Sequence, residues 1–265
     1  MSPPRRWVVA VKHGVDVNLT RADAASGQID LRRAPRKTSD FDKNAVEEAI
    51  RLREKHGGSV TALTVGTTSA REALRDALSL GADDAVLLAV PEESIVDSGV
   101  TVRALSAYFQ TPAGAFDLAI FGEGSTDHFS GTVGPGVAAA LGLPSLCHVR
   151  QIQVDGDRLR VRRDIELGVE ELETGFPAVA TVGQEINSPR LPTFLTTLKA
   201  SKTEIREVAV ASLSPPSDPR EGSVLIRDAH VPRMPRKGLR VAGGDPEAIA
   251  RELLKLLHGE GIDSA

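Results

Sequence analysis

The sequence predicts an α/β protein built on a doubly wound, largely parallel sheet, with antiparallel strands at one edge and an extended C-terminal arm. Three observations predict this fold class. Between residues 7 and 144, short aliphatic runs alternate with amphipathic segments of helical period. Aromatic residues make up only 3% of the chain, which suits a core of aliphatic strands covered by helices on both faces. After residue 144 polar and apolar residues alternate, as is typical of antiparallel strands.

The elements of the first half follow from these runs and from their glycine and capping residues. Buried strands are predicted at Trp7–Val11, Val60–Val65, Ala85–Val90 and Leu118–Phe121. Helices are predicted from Ser39 or Asp40 to about Lys55, from Thr67–Ser69 to Gly81, and at Ser98–Phe109. A small hairpin is expected to end near Leu31. This order predicts a Rossmann-like sheet, in which ligands bind at the carboxyl ends of the strands.

The second half is predicted to be mostly extended. Strands are expected at Val149–Val154, Leu159–Arg163, Glu166–Glu173 and Ala178–Val182. The arginines at 158, 160, 162 and 163 indicate an exposed strand face rather than an anion site. A last helix is predicted at Asp245–His258, with Asp245 as its cap. We therefore expect an α/β domain over residues 1–205 and an extended arm, ending in this helix, over residues 206–265.

One stretch, Asp117–Pro144, combines a strand, a glycine-punctuated polar loop from Glu123 to Gly136 and an alanine-rich helix beginning at Val137. Backbone N–H groups in such a loop and at a helix N-terminus can face a phosphate closely. An ordinary strand-to-helix connection is the other interpretation. The turns after Val11, Val65 and Phe121 would share one sheet edge, which favours a nucleotide site there.

Composition limits the function. The net charge of −4 argues against a general nucleic-acid binder. The single cysteine, Cys147, forbids an intramolecular disulfide and fits a reduced cytoplasmic setting. The six histidines lack metal-site spacing. The N-terminal apolar run is too short for membrane insertion. No triad order or carboxylate pair indicates an active site, so we expect a protein that is not itself an enzyme.

The segment from Asn187 to Lys202 has two interpretations. It contains two prolines, several large apolar residues and three basic residues. It is either a connector whose apolar residues pack on the domain, or an exposed docking loop in which an apolar anchor is surrounded by cations. Composition alone leaves both open.

Blocks of sequence in this order resemble the beta subunit of electron transfer flavoproteins from about Trp7 to Lys202. The blocks are Val9–Lys12 with Asp16, Phe41–Ala49, Ala77–Asp83, Gly122 with Ser125–Asp127, Val133–Pro135, Leu141–Pro144, Leu172 with Pro177–Val179, Asn187–Arg190 and Lys199–Ala200. The resemblance implies a subunit that pairs with an alpha subunit, carries FAD jointly with it, and binds AMP. It also implies electron transfer from acyl-CoA or other flavin-dependent dehydrogenases to a quinone reductase or another acceptor.

The resemblance also implies which residues bind. The cofactor-binding positions would be Ala10, Ser39, Val65, Gly122, Glu123, Gly124, Ser125, Thr126, Asp127, His128, Phe129, Ser130, Gly131, Thr132 and Val133. The partner-recognition positions would be Arg190, Leu191, Pro192, Thr193, Phe194, Leu195, Lys199 and Lys202. The chain departs from the family pattern at His128, Phe129 and Thr132, which changes the polar groups available to the nucleotide. It also departs at Ser188 and Ser201, which alters the docking loop and indicates a particular dehydrogenase partner. A bifurcating subunit with a second FAD, a stand-alone adenine-nucleotide sensor of the adenine nucleotide hydrolase type, and a structural partner without nucleotide are the alternatives.

Overall fold

The computed structural model describes residues 4–31, 33–91, 97–213, 224, 226–227, 229–231 and 238–262. The chain divides into two compact units, residues 1–230 and residues 231–265. The first unit contains the main sheet and five of the helices. Strand Arg206–Ala209 belongs to that sheet, although the sequence assigned these residues to the C-terminal arm.

A nine-stranded sheet forms the centre of the first unit. In chain order its strands are β1 Arg6–Ala10, β4 Ser59–Gly66, β5 Asp84–Ala89, β6 Leu118–Gly122, β7 Ser145–Asp155, β8 Arg158–Ile165, β9 Gly168–Gly175, β10 Ala178–Val182 and β11 Arg206–Ala209. In space they run β11-β5-β4-β1-β6-β10-β7-β8-β9. All neighbours are parallel except β7–β8 and β8–β9, which are antiparallel. A separate two-stranded ribbon pairs β2 His13–Val15 with β3 Arg36–Thr38.

Helices cover both faces of the sheet. They are α1 Asp40–His56, α2 Arg71–Leu80, α3 Ser98–Phe109, α4 Val133–Leu141 and α5 Phe194–Lys202. Alternate residues of one strand enter opposite faces. Trp7 and Val9 join the apolar cluster that includes Ile50 of α1, whereas Val8 joins the cluster that includes Leu105 of α3. The doubly wound fold predicted from the sequence is therefore confirmed, with β8 and β9 as its antiparallel edge.

Local expectations were wrong at two places. Helix α4 begins at Val133 rather than Val137, because a proline in the first helical turn, here Pro135, loses no hydrogen bond. Strand β10 is central and parallel rather than part of the antiparallel edge, since all five of its residues are buried. The small hairpin expected to end near Leu31 is present in reduced form, as an antiparallel bridge between Ala22 and Ile29 that encloses Gly27.

Among the described residues of the second unit there is one helix, α6 Pro246–Gly259. Its cap is the one predicted: the Asp245 side chain accepts hydrogen bonds from the backbone N–H groups of Glu247 and Ala248. Pro246 occupies the first helical position, where its missing N–H costs nothing. The side chains of α6 are exposed or half-buried within this unit.

Candidate functional site

A pocket opens at the carboxyl ends of β1, β4 and β6. The space inside it and at its open mouth together, solvent included, is about 870 Å³. Its lining residues are Ala10, Val11, Lys12, His13, Asp42, Leu63, Thr64, Val65, Ser98, Thr101, Leu105, Phe121, Gly122, Glu123, Gly124, Ser125, His128, Ser130, Gly131, Thr132, Val133 and Gly134. The pocket therefore lies where ligands bind in parallel α/β sheets.

The pocket wall divides into an apolar floor and a polar rim. Strand residues such as Ala10, Val65 and Phe121 supply the floor. Two helices begin at the rim, α3 at Ser98 and α4 at Val133. Within the described residues, the Thr132 side chain does not cap α4, so the backbone N–H groups at the start of that helix can donate to a ligand. The positive end of the α4 dipole favours an anion, whereas the first turn of α3 already donates, through the Gly99 N–H, to the Asp97 carboxylate.

Lys12 connects the end of β1 to the glycine loop that follows β6. Its Nζ atom lies 2.7 Å from Asp127 Oδ1, 3.2 Å from Ser125 Oγ and 3.0 Å from His128 Nδ1. Burial would raise the pKa of Asp127. Hydrogen bonds from His128, Lys12 and Ser125 nevertheless hold that pKa well below its usual range. Asp127 is thus a buried carboxylate that anchors the loop rather than an acid that exchanges protons near neutral pH.

A second carboxylate joins the ends of the two central strands. Asp42, in the first turn of α1, accepts hydrogen bonds from the backbone N–H of Lys12 at 2.7 Å and of Gly122 at 3.2 Å. Burial raises the pKa of Asp42 to about 7 despite these two donors. The approach is close, because a Cβ on Gly122 would lie 2.5 Å from Asp42 Oδ1. Glycine is therefore required where β6 ends.

No group of three or more metal-ligating side chains occurs in the part of the chain that the structure describes. In that same part, no helix is long and apolar enough to span a bilayer.

Comparison with known proteins identifies the family. The profile of the electron transfer flavoprotein domain matches residues 27–213. The chain belongs to the electron transfer flavoprotein family. It is 31% identical over 220 residues to the electron transfer flavoprotein subunit beta of Bacillus subtilis, covering 83% of this chain and 85% of that protein. The subunit beta of Thermoanaerobacterium thermosaccharolyticum is 37% identical over 185 residues, 70% of each chain. That of Mycobacterium leprae is 39% identical over 192 residues, 70% of this chain and 71% of that protein.

In this electron transfer flavoprotein domain, most of the predicted cofactor-binding positions line the pocket. These are Ala10, Val65, Gly122, Glu123, Gly124, Ser125, His128, Ser130, Gly131, Thr132 and Val133. Ser39, Thr126, Asp127 and Phe129 are not among the lining residues. Asp127 acts through Lys12, and Phe129 is 61% exposed with its ring packed on Phe41 at 5.4 Å between ring centroids. Their roles toward a nucleotide stay predictions.

Several lining residues were not predicted. Lys12 directly follows a predicted strand, so the rule that ligands meet strand ends would have indicated it. The same rule covers Ser98 and Thr101, in the first turn of α3. Asp42 gave no such signal, since its position depends on how α1 packs against the ends of β1 and β6.

The predicted partner-recognition segment lies on another surface of the domain. Its second part is a helix, α5, which begins with a capping box between Thr193 and Thr196. Four large apolar side chains are exposed, and we call them the docking stripe: Leu191 at 88%, Phe194 at 80%, Leu195 at 74% and Leu198 at 42%. The spacing of the last three places them on one helix face. Exposure of this stripe argues against a connector packed on the domain.

Proposed function

We propose that this chain is the beta subunit of a heterodimeric electron transfer flavoprotein, an electron carrier without a catalytic acid, base or nucleophile of its own. FAD, held jointly with an alpha subunit, would supply the one- and two-electron chemistry. The observation that carries the proposal is the pocket at the ends of β1, β4 and β6 within a domain of this family. The similarity to proteins named subunit beta supports the choice of subunit.

We further propose that the pocket holds AMP. Its apolar floor, including Ala10 and Val65, fits an adenine ring, and its rim fits a phosphate. The rim groups that support this assignment are the first turn of α4 and the Gly122–Val133 loop. The role of AMP would be structural, because Lys12 and Asp127 already neutralise each other and neither is placed to exchange protons with a substrate.

The docking stripe would recognise electron donors. An exposed apolar stripe beside Lys199 and Lys202 suits a partner with an apolar pocket and acidic residues around it. We propose acyl-CoA or other flavin-dependent dehydrogenases as these partners, with a quinone reductase or another acceptor receiving the electrons. We also propose that α6 packs on the alpha subunit and that the complex is cytoplasmic.

The nucleotide content of the complex tests the proposal. The chain is co-expressed with its alpha subunit, the purified complex is denatured, and the released nucleotides are identified. One FAD and one AMP per heterodimer is the expected result. Two FAD would overturn AMP in favour of a bifurcating subunit, and FAD alone would overturn nucleotide binding by the pocket. Bound ATP on this chain without any complex would overturn the whole assignment in favour of a sensor.

The docking role has its own test. Phe194→Ala should raise the KM for a reducing acyl-CoA dehydrogenase while leaving assembly and flavin content unchanged, because Phe194 is exposed and far in sequence from the pocket loop. An unchanged KM would remove the docking role.

A further inference from the structure

The docking stripe is carried by a helix that cannot hold its own shape. Helix α5 has only nine residues, and isolated helices of that length are marginal in water. Within α5, Ala200 alone is fully buried. The geometry of the stripe must therefore be imposed by contacts with the rest of the domain.

An arginine holds the segment where it enters α5. Arg190 Nε lies 2.8 Å from Glu47 Oε2, and the Arg190 Nη1 and Nη2 atoms lie 2.7 and 3.1 Å from the two carboxylate oxygens of Glu54. The backbone N–H of Arg190 also donates to Glu47. The Glu47 side chain is only 3% exposed. A guanidinium shared between two carboxylates on α1 is a strong and directional contact.

A reciprocal amide contact adds to this attachment. Asn44 Nδ2 donates to the Asn187 carbonyl oxygen at 2.8 Å, and Asn187 Nδ2 donates to the Asn44 carbonyl oxygen at 3.0 Å. The residues just before the docking stripe are thereby fixed to the polar face of α1.

A second arginine holds the other end of α5. Arg75 Nη1, on α2, donates to the carbonyl oxygens of Ala200 and Thr203. These carbonyls belong to the last turn and the C-cap, where a cation is favoured both by hydrogen bonding and by the helix dipole. The docking stripe thus lies between two arginine contacts made by two different helices of the domain.

We propose that Arg190 and Arg75 are positioning residues of the docking stripe, which hold it in the geometry that a redox partner recognises and so set partner affinity. The inference rests on the proposed docking role. Ordering a loose segment at the moment of binding would weaken association, and a segment ordered in advance avoids this cost. The resemblance places Arg190 among the partner-recognition positions, but its donors are used on Glu47 and Glu54, so in this proposal it holds the segment rather than touching the partner. Neither arginine lines the pocket, so the limiting rate of electron transfer should not change.

The test uses the co-expressed heterodimer with Arg190→Gln and, separately, Arg75→Gln. Arg160→Gln is the matched control, because Arg160 also pairs with a glutamate, Glu173 at 3.0 Å, but on the exposed face of β8. Amide hydrogen exchange across residues 194–202 reports the order of α5. Steady-state reduction by an acyl-CoA dehydrogenase reports KM and kcat. Both Arg190→Gln and Arg75→Gln should speed amide exchange in α5 and raise KM by about tenfold while kcat stays unchanged. The Arg160→Gln control should behave like wild type.

Two results would overturn the inference: unchanged exchange in α5, or faster exchange with an unchanged KM. A role in stability alone would give the second result. Phe194→Ala, measured in parallel, separates the two proposals. If Phe194→Ala raises KM and the two arginine variants do not, only the positioning role fails. If it also leaves KM unchanged, the docking role itself fails. Should Arg190→Gln not assemble, Glu54→Gln removes only the exposed half of the contact. It should change exchange and KM in the same direction but by less, because Arg190 still pairs with the buried Glu47.

Discussion

The ammonium group of Lys12 lies 2.7 Å from the Asp127 carboxylate, although 115 residues of sequence separate them. The other carboxylate oxygen accepts a hydrogen bond from the backbone N–H of Val15. One side chain thus joins the end of β1, the small ribbon and the glycine loop. Because Asp127 is nearly buried, with 7% of its side chain exposed, the charge of Lys12 has a consequence for both stability and binding.

Replacing Lys12 by Met should destabilise the domain by about 1–2 kcal/mol, since it leaves the buried Asp127 carboxylate without its cation. The loss is smaller than for a fully buried pair, because a third of the Lys12 side chain is exposed and solvent screens its charge. The variant complex should also release less AMP after purification, because the loop that forms the pocket rim loses its anchor. Urea unfolding and nucleotide analysis measure these two effects.

Lys43→Met is the matched control. Lys43 pairs with Asp40 at 3.1 Å, but 38% of the Asp40 side chain is exposed. Ion pairs of this kind contribute at most about 1 kcal/mol. Equal losses of stability in the Lys12 and Lys43 variants would contradict a special role for the Lys12–Asp127 pair.

The fold could be predicted from sequence because its signals are local. The runs around Trp7, Val60 and Leu118 each form a buried parallel strand, and Gly57 and Gly81 end their helices as expected. The glycine loop could be predicted for the same reason. Its glycines mark a place where the backbone must approach other groups closely.

The contacts that organise the site could not be predicted, because they join distant parts of the chain. Asp42 looks like an ordinary residue of an amphipathic helix until α1 is packed against β1 and β6. The same holds for Glu47, a buried glutamate of that helix whose partner, Arg190, lies 143 residues away in the sequence. Strand β10 was placed at an edge because strand order is a tertiary property that alternation does not reveal.

The raised pKa of Asp42 predicts a pH-dependent stability. Its folded-state pKa of about 7 exceeds the ordinary value, so the folded protein binds more protons than the unfolded chain between about pH 4 and pH 7. The stability that this group contributes is fully present below the unfolded pKa and is lost as pH rises through 7. Relative to Asp42→Asn, the free energy of unfolding of wild type should fall by on the order of 1 kcal/mol per pH unit in this window.

Unfolding by urea at pH 5, 6, 7 and 8 measures this difference, and taking it against Asp42→Asn cancels the other titrating groups. Parallel curves for the two proteins would contradict the raised pKa. If the free energy of unfolding of wild type instead rose with pH relative to Asp42→Asn, the two N–H donors would outweigh burial in setting the pKa of Asp42.

Phe129 adopts a left-handed backbone conformation, with φ of 47°, which a side chain with a Cβ disfavours by about 1 kcal/mol. Its ring contact with Phe41 offsets part of that strain, although Phe129 is 61% exposed. Phe129→Gly should therefore leave stability within about 0.5 kcal/mol of wild type, because it removes strain and contact together. Phe129→Ala should be about 1 kcal/mol less stable than the glycine variant, because it removes the contact and keeps the strain.

The same pair of substitutions at Leu198 provides the control with the opposite sign. Leu198 lies inside α5, where alanine favours the helix over glycine by about 1 kcal/mol. Urea unfolding of the four variants measures both differences in one experiment. If alanine were also the more stable residue at position 129, the left-handed conformation would not be a source of strain. The ring of Phe129 would then be held by its neighbours at no cost to the backbone.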